Sequence, residues 1–338
     1  MWFDAPVQVS VLGAGSWGTT VASLCAPGHP TMLWARTAEV AERINRDHVN
    51  PAYVSEFRLA PELRATSDLD EAVAGCDLLV VGVPAAGFRD IARKAGPGLR
   101  PWVPVVSLAK GLEPGTLLRM TEVVREELPG HPAAALTGPN LAREILRGQA
   151  AASVIATEDL ALGAAIQGVL GRGVFRVYLN HDVIGCEVGG ALKNVVAIAT
   201  GIAQGLGVGD NTRAAVVSRG LAEITRLGVA MGGEAATFAG LAGMGDLIAT
   251  CMSPLSRNRT LGEQLGAGQT LEEIMAGTNT VAEGVGTAAT AHELAQRYHV
   301  QTPIFDEIYR VLAGEITAEQ AYRGLTREHP AGHEREPA

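Results

Sequence analysis

The residues best suited to chemistry are a glycine run, two lysines, an aspartate and one arginine-containing turn, each at the edge of what reads as a regular element. Gly13-Ala14-Gly15-Ser16-Trp17-Gly18 follows a β-branched run and opens a helical segment. A G-x-G-x-x-G at such a turn lets backbone amides and a helix N-terminus approach a pyrophosphate, so dinucleotide binding is expected here, with Gly13, Gly15 and Gly18 as its frame. A tight turn with no ligand is the plain alternative; the strand before, the helix after and the alternation beyond favour binding. About 20 residues after the glycines an NAD site presents Asp or Glu to the ribose 2′-hydroxyl. This chain presents Arg36 there. A guanidinium pairs with a 2′-phosphate, which favours NADP; stacking beside the adenine, or plain solvation at a helix start, are the other readings.

Four further groups place polar residues at element ends. Ser107-Leu108-Ala109-Lys110-Gly111 puts a cation at the carboxyl end of a strand, where open α/β sheets bind ligands, and Leu136-Thr137-Gly138-Pro139-Asn140 repeats that placement one strand later. Gly189-Gly190-Ala191-Leu192-Lys193-Asn194 sets a lysine among small apolar residues of a helix; an isolated lysine there reads as a snorkelling surface residue. Gly243-Met244-Gly245-Asp246 precedes Ser253-Pro254-Leu255-Ser256-Arg257-Asn258-Arg259, where Arg257 and Asn258 begin a helix and make an anion site.

These residues need elements to position them. A chain of 338 residues suggests two domains at roughly 150 residues each. Short β-branched runs (7–12, 31–35, 64–66, 78–83, 103–108, 134–137, 153–156, 174–179) alternate with helical segments such as 37–46 and 117–128. That pattern predicts an α/β doubly wound, Rossmann-like parallel sheet over residues 1–181. From 182 to 327 only helix-spaced apolar residues remain, which predicts an all-α second domain. Its expected start signals are Asn211, Thr270 with Glu273, and Thr317 with Gln320. Residues 328–338 read as a disordered tail.

Composition narrows the function classes. A net charge of −9, with no run of five like charges, disfavours nonspecific nucleic-acid binding. The four cysteines are far apart and the eight histidines are scattered along the chain, so neither a disulfide framework nor a metal site is expected. The first residues lack a basic stretch followed by an apolar one, and no segment offers about 18 uninterrupted apolar residues. A cytoplasmic protein with no membrane insertion is the expectation.

Taken in order, GAGSWGTT, SLAKGLE, LTGPNLAREI, GGALKNVVAIATG, AGMGDLIATC, SPLSRNRTLG and VAEGV resemble the bacterial NAD(P)-dependent glycerol-3-phosphate dehydrogenases across nearly the whole chain. The resemblance implies NAD(P)H as cofactor, dihydroxyacetone phosphate and sn-glycerol 3-phosphate as substrates, service to glycerophospholipid synthesis, no metal, and a homodimer formed through the helical domain. It implies that Lys193 is the catalytic lysine, that Lys110 lies near substrate and nicotinamide, and that Asp246 supports Lys193. It assigns Ser256, Arg257 and Asn258, with Gly138 and Asn140, to the substrate. Cofactor contacts would come from Ser16, Trp17, Arg36, Lys110, Ala142, Arg257, Val281 and Glu283. Asn140 departs from the hydroxyl residue common in the family, although an amide also donates and accepts.

The chemistry is consistent with those roles. Hydride arriving at C2 of dihydroxyacetone phosphate leaves an alkoxide that needs a proton donor, for which Lys193 is the best candidate. The phosphate needs a cationic fork, which Arg257 supplies. A β-hydroxyacid or ketopantoate-type reductase, which would bind a carboxylate with the same arginine, and a nucleotide-binding regulator without turnover are the competing readings.

Overall fold

Eight short runs of aliphatic and β-branched residues form one sheet: β1 (Val9–Leu12), β2 (Thr31–Trp34), β3 (Arg64–Thr66), β4 (Leu78–Val81), β5 (Val105–Ser107), β6 (Ala133–Thr137), β7 (Ala151–Ala156) and β8 (Phe175–Asn180). The computed structural model describes residues 6–277 and 282–325. The sheet order is β3-β2-β1-β4-β5-β6-β7-β8, so the direction of winding reverses between β1 and β4. That switch point is where a doubly wound sheet opens a crevice at its carboxyl edge. Both faces are covered, as the pleat of β4 shows. Leu78 and Val80 belong to the apolar cluster on one face, with Val9, Val11 and Val106, while Leu79 and Val81 join Val105 and Phe88 on the other.

Three departures from the sequence reading have local causes. The sheet is not wholly parallel: β7 runs antiparallel to β6, with Ala135 opposite Ala156. Only the short helix Ala142–Leu146 and a turn through Gly148 (φ 78°) lie between these strands, which is too little for a crossover, so the chain doubles back. The fifth strand begins at Val105 because Pro104 has no N–H to add to the ladder, although its carbonyl accepts from Leu79 at 3.0 Å. The helix expected from residue 117 starts at Met120, since Leu117 adopts a left-handed φ of 65°.

The chain divides into two compact units: residues up to Glu113 with Leu118–Val183, and Pro114–Leu117 with the residues from Ile184 onward. The boundary expected after residue 181 thus falls two residues later, and the short stretch 114–117 joins the second unit, which no periodicity announces. The tail 328–338 lies outside the described residues.

The described part of the second unit is helical beyond β8. Its central helix, Val183–Gly205, is long and apolar enough to cross a bilayer, although the sequence reading found no uninterrupted run. In the fold 94% of its most apolar stretch is buried, so it is a core helix. Segment Ala235–Met252 passes the same test with less burial. The capping boxes appear at Thr270 with Glu273 and at Thr317 with Gln320, where each hydroxyl accepts from the third backbone N–H at 3.2 Å. Asn211 is no cap; helix Asp210–Ala230 begins earlier, with Gly209 in the capping position.

Glycines set the closest helix approach in this unit. A Cβ on Gly262 would lie 2.1 Å from the Ile198 carbonyl oxygen, and one on Gly266 would lie 2.4 Å from that of Ile202. Gly201 and Gly205 answer from the other side, so helices Val183–Gly205 and Arg257–Gly266 meet backbone to backbone. This close packing brings Asn194, on the same side of its helix as Ile198 and Gly201, to Asn258.

Candidate active site

In the first unit the glycine turn sits at the switch point. Gly13 has φ 115°, and a Cβ there would lie 2.9 Å from the backbone of Gly82, the residue that follows β4. Gly18 is equally constrained, since its Cβ would lie 2.0 Å from the Gly13 carbonyl oxygen. Gly15 differs: nothing lies within 4 Å of its would-be Cβ. It also caps helix Ser16–Cys25 without any side-chain hydrogen bond, so the first helical N–H groups take no side-chain acceptor from the capping residue. Two glycines close the turn and the third leaves a cradle, which fits a pyrophosphate seated on a helix N-terminus. Asn50, wholly buried, braces the turn by donating to the Ala14 carbonyl and to Thr19 Oγ1, both at 2.8 Å.

The other expected cofactor contacts fall in varied settings. Ser16 opens the helix. Trp17 turns its ring into the core, edge-on to Phe175 with centroids 5.7 Å apart, so a contact with a dinucleotide would come through its backbone. Arg36 is exposed just past β2, and among the described residues its side chain makes no ion pair. Ala142 opens the five-residue helix Ala142–Leu146, and Glu283 opens helix Glu283–Arg297. Val281 lies outside the described residues.

Lys110, Gly138 and Asn140 converge. Lys110 Nζ donates to the Gly138 carbonyl at 2.8 Å and to Asn140 Oδ1 at 2.6 Å. Gly138 has φ 124° and packs against Ser153, and Asn140 Nδ2 donates to Ser153 Oγ at 3.4 Å. Asn140 therefore acts on the Lys110 ammonium first.

In the second unit Lys193 and Asp246 form a buried ion pair, Nζ to Oδ1 3.0 Å, with side-chain exposures of 6% and 3%. Lys193 Nζ also donates to Thr250 Oγ1 at 2.5 Å. The Thr250 hydroxyl donates in turn to the Asp246 carbonyl at 2.7 Å, which aims its lone pairs at the lysine. A turn of π-helix over Leu241–Gly245, closed by Gly245 N–H to the Gly240 carbonyl at 3.0 Å, delivers Asp246 to its place. Such turns recur at functional sites. Gly189 lets this segment approach the central helix, since its Cβ would lie 3.0 Å from the Ala242 carbonyl oxygen. Being four residues before Lys193, Gly189 presents the same helix face.

Ser256 and Arg257 stand at the start of helix Arg257–Gly266. Ser256 caps it, Oγ accepting from Arg259 N–H at 3.3 Å, and Arg257 is its exposed first residue. Asn258 points elsewhere: its amide donates to Asn194 Oδ1 at 2.9 Å and accepts from Gly284 N–H at 2.9 Å. Only one amide N–H of Asn258 is left for a phosphate.

Sequence reasoning missed Thr250, Asn194 and Asn50. Thr250 lies four residues after Asp246 on one helix and so shares its face, a signal available in the sequence. Asn50 lies in a loop with no pattern to flag it. The four cysteines are buried; burial pushes Cys25 up to about 12 and Cys76 and Cys251 up to about 11, which disfavours the reactive thiolate at these three. Among the described residues, no group of three or more His, Cys, Asp and Glu side chains is placed to hold a metal ion.

Known proteins resemble this chain over nearly its full length. Residues 8–163 match the family model of the NAD-dependent glycerol-3-phosphate dehydrogenase N-terminus, and residues 182–323 match that of its C-terminus. Glycerol-3-phosphate dehydrogenase [NAD(P)+] 2 of Sphingopyxis alaskensis is 55% identical over 321 residues, covering 95% of this chain and 96% of the relative. Glycerol-3-phosphate dehydrogenase [NAD(P)+] of Mycobacterium avium is 53% identical over 328 residues, covering 97% and 96%. The crystal structure of glycerol-3-phosphate dehydrogenase from Coxiella burnetii superposes with a TM-score of 0.91 at 33% identity, over 96% of this chain and 99% of that one. With a glycine turn at a helix N-terminus in one unit, a buried lysine–aspartate pair in the other, and both family models matched in order, the chain belongs to the NAD-dependent glycerol-3-phosphate dehydrogenase family of oxidoreductases.

Proposed function

We propose that this protein catalyses the reversible NAD(P)H-dependent reduction of dihydroxyacetone phosphate to sn-glycerol 3-phosphate, with NADPH preferred over NADH. The observation that carries the reading is the buried Lys193 ammonium, fixed by Asp246 and Thr250. An ammonium has three donors, and these partners engage two of them. The third serves the substrate: Lys193 Nζ donates its proton to the C2 oxygen as negative charge develops there, while Asp246 keeps the ammonium oriented.

The cradle at Gly13, Gly15, Ser16 and Gly18 holds the cofactor's pyrophosphate, and Arg36 pairs with the 2′-phosphate. Bound, NAD(P)H supplies the hydride. Arg257, helped by the N-terminus of its own helix and by Ser256, takes the substrate phosphate and so orients C2. Lys110, its ammonium fixed by Gly138 and Asn140, adds positive charge near the substrate oxygens. Neither Lys193 nor Lys110 needs a metal to do this.

The same reading makes the protein a cytoplasmic homodimer, assembled through its helical unit and supplying glycerophospholipid synthesis; the family relationship supports it. Sedimentation at micromolar concentration reads the assembly directly, and a monomer would refute that part. For the activity, initial rates of dihydroxyacetone phosphate reduction are measured with NADPH and NADH in parallel, beside ketopantoate at matched concentration. Turnover of dihydroxyacetone phosphate, faster with NADPH, is expected. Preference for the carboxylate substrate, or no turnover with either cofactor, would overturn the reading.

A further inference from the structure

The K-G-L-E stretch that carries Lys110 is laid along one face of helix Ala85–Ala95. Gly111 rests on the start of that helix, where a Cβ would lie 3.0 Å from Ala85 Cβ. Glu113 meets Arg89, one turn further along the same face. The contact is a two-pronged ion pair: Arg89 Nε donates to Glu113 Oε1 and Arg89 Nη2 to Oε2, both at 2.7 Å. Glu113 is nearly buried, and Arg89 is held from its other side by Glu127 at 2.6 Å and Glu126 at 2.7 Å. Glu113 N–H also donates to the Leu118 carbonyl at 2.9 Å, which pins the far end of the segment. At the near end Leu108 N–H donates to the Val81 carbonyl at 2.9 Å. Lys110 thus stands on a short stretch fixed at both ends, on one side by the sheet and on the other by a charged fork.

We propose that Arg89 and Glu113 are positioning residues that set where the Lys110 ammonium stands, and through it the rate of the chemical step. A planar guanidinium against a carboxylate fixes angle as well as distance, which a single bond does not. Losing the fork lets the segment slide on the helix and moves Nζ away from Gly138 and Asn140. A displacement of an ångström at a reacting centre lowers turnover about a hundredfold in other enzymes, and a loosened fork gives part of that loss. This inference rests on the role proposed for Lys110 above.

The test is a double-mutant cycle with Lys110, using dihydroxyacetone phosphate and NADPH. Glu113→Gln keeps the shape and removes the charge; Arg89→Lys keeps the charge and removes the fork. Each is expected to lower kcat by about tenfold, with the NADPH dissociation constant changed by less than about twofold. In a Lys110→Ala background Glu113→Gln is expected to change the residual kcat by less than about twofold, since no ammonium is left to place. An equal drop in both backgrounds, or a normal kcat in both single variants, overturns the positioning role. Should Glu113→Gln fail to fold, Arg89→Lys runs the same cycle. A normal kcat for Lys110→Ala alone refutes the Lys110 assignment itself, and the inference falls with it; a lowered kcat there with normal Glu113→Gln and Arg89→Lys variants refutes only the inference.

Discussion

The role proposed for Lys193 rests on one nitrogen atom held 3.0 Å from a carboxylate and 2.5 Å from a hydroxyl. On that proposal, replacing it removes the proton donor and leaves the glycine turn of the other unit untouched. Lys193→Ala is therefore expected to lower kcat by about 100- to 10,000-fold while NADPH still binds in a fluorescence titration; near-normal turnover would remove Lys193 from catalysis. Arg36 is exposed and without an ion pair among the described residues, and the proposed function sets it against the 2′-phosphate. Arg36→Ala is expected to raise KM for NADPH by tenfold or more and to leave KM for NADH nearly unchanged, because only NADPH carries the 2′-phosphate. Equal rises would mean that Arg36 serves the adenine common to both. For Arg257, in the role proposed for it, losing a charged fork on the substrate phosphate is expected to cost about 2–5 kcal/mol in kcat/KM, with Arg257→Lys falling between wild type and Arg257→Ala. Unphosphorylated dihydroxyacetone offers nothing to that fork. If Arg257→Ala harms its weak reduction just as severely, Arg257 is not mainly a phosphate ligand.

Helix ends carry charge in this fold, and one of them is buried. Glu223 is 2% exposed and accepts from the N–H groups of Ile304 at 3.0 and 3.1 Å and of Phe305 at 3.3 Å, capping helix Pro303–Leu312 from another element. Burial pushes its carboxyl up to about 7, against the opposing pull of those backbone bonds and of Arg226; Asp306 adds to the rise. The folded state thus holds this proton more tightly than the unfolded chain does. Its stabilising contribution is complete below the ordinary carboxyl range and is lost as pH rises through about 7, on the order of 3 kcal/mol in all. Glu223→Gln removes the titration while keeping a carbonyl for the helix end. Calorimetric Tm values at pH 5 and pH 8 are expected to converge in the variant, and an unchanged pH dependence would place the sensitivity elsewhere. Some of this layer was legible in advance. The capping boxes at Thr270 and Thr317 obey a local rule and formed as expected, whereas Glu223 and Ile304 are 81 positions apart and no local rule joins them.

At the scale of the whole molecule, a ligand that binds only the native state stabilises it by mass action. NADPH at about 100 times its dissociation constant is expected to add ~2.7 kcal/mol, read as a rise in Tm of several degrees, and Arg36→Ala should shrink that rise at the same concentration. No rise at saturating NADPH would contradict the cradle at Gly15. The sequence alone determined the strand and helix periods, the glycine turn and the residues with the right chemistry, because each is a matter of near neighbours: a pleat of two, a helical turn of 3.6, a cap of three. It missed the reversal of β7 and the membership of residues 114–117, which depend on what a short connection can span and on what it meets there. The tertiary structure alone decided that Lys193 meets Asp246 and Thr250, that Lys110 meets Asn140, and that Asn258 spends its amide on Asn194 and Gly284. The pairings within the helical unit follow from backbones brought together at glycines such as Gly189, Gly201 and Gly262, where the absence of a side chain becomes a contact only once a second helix is there to fill the space.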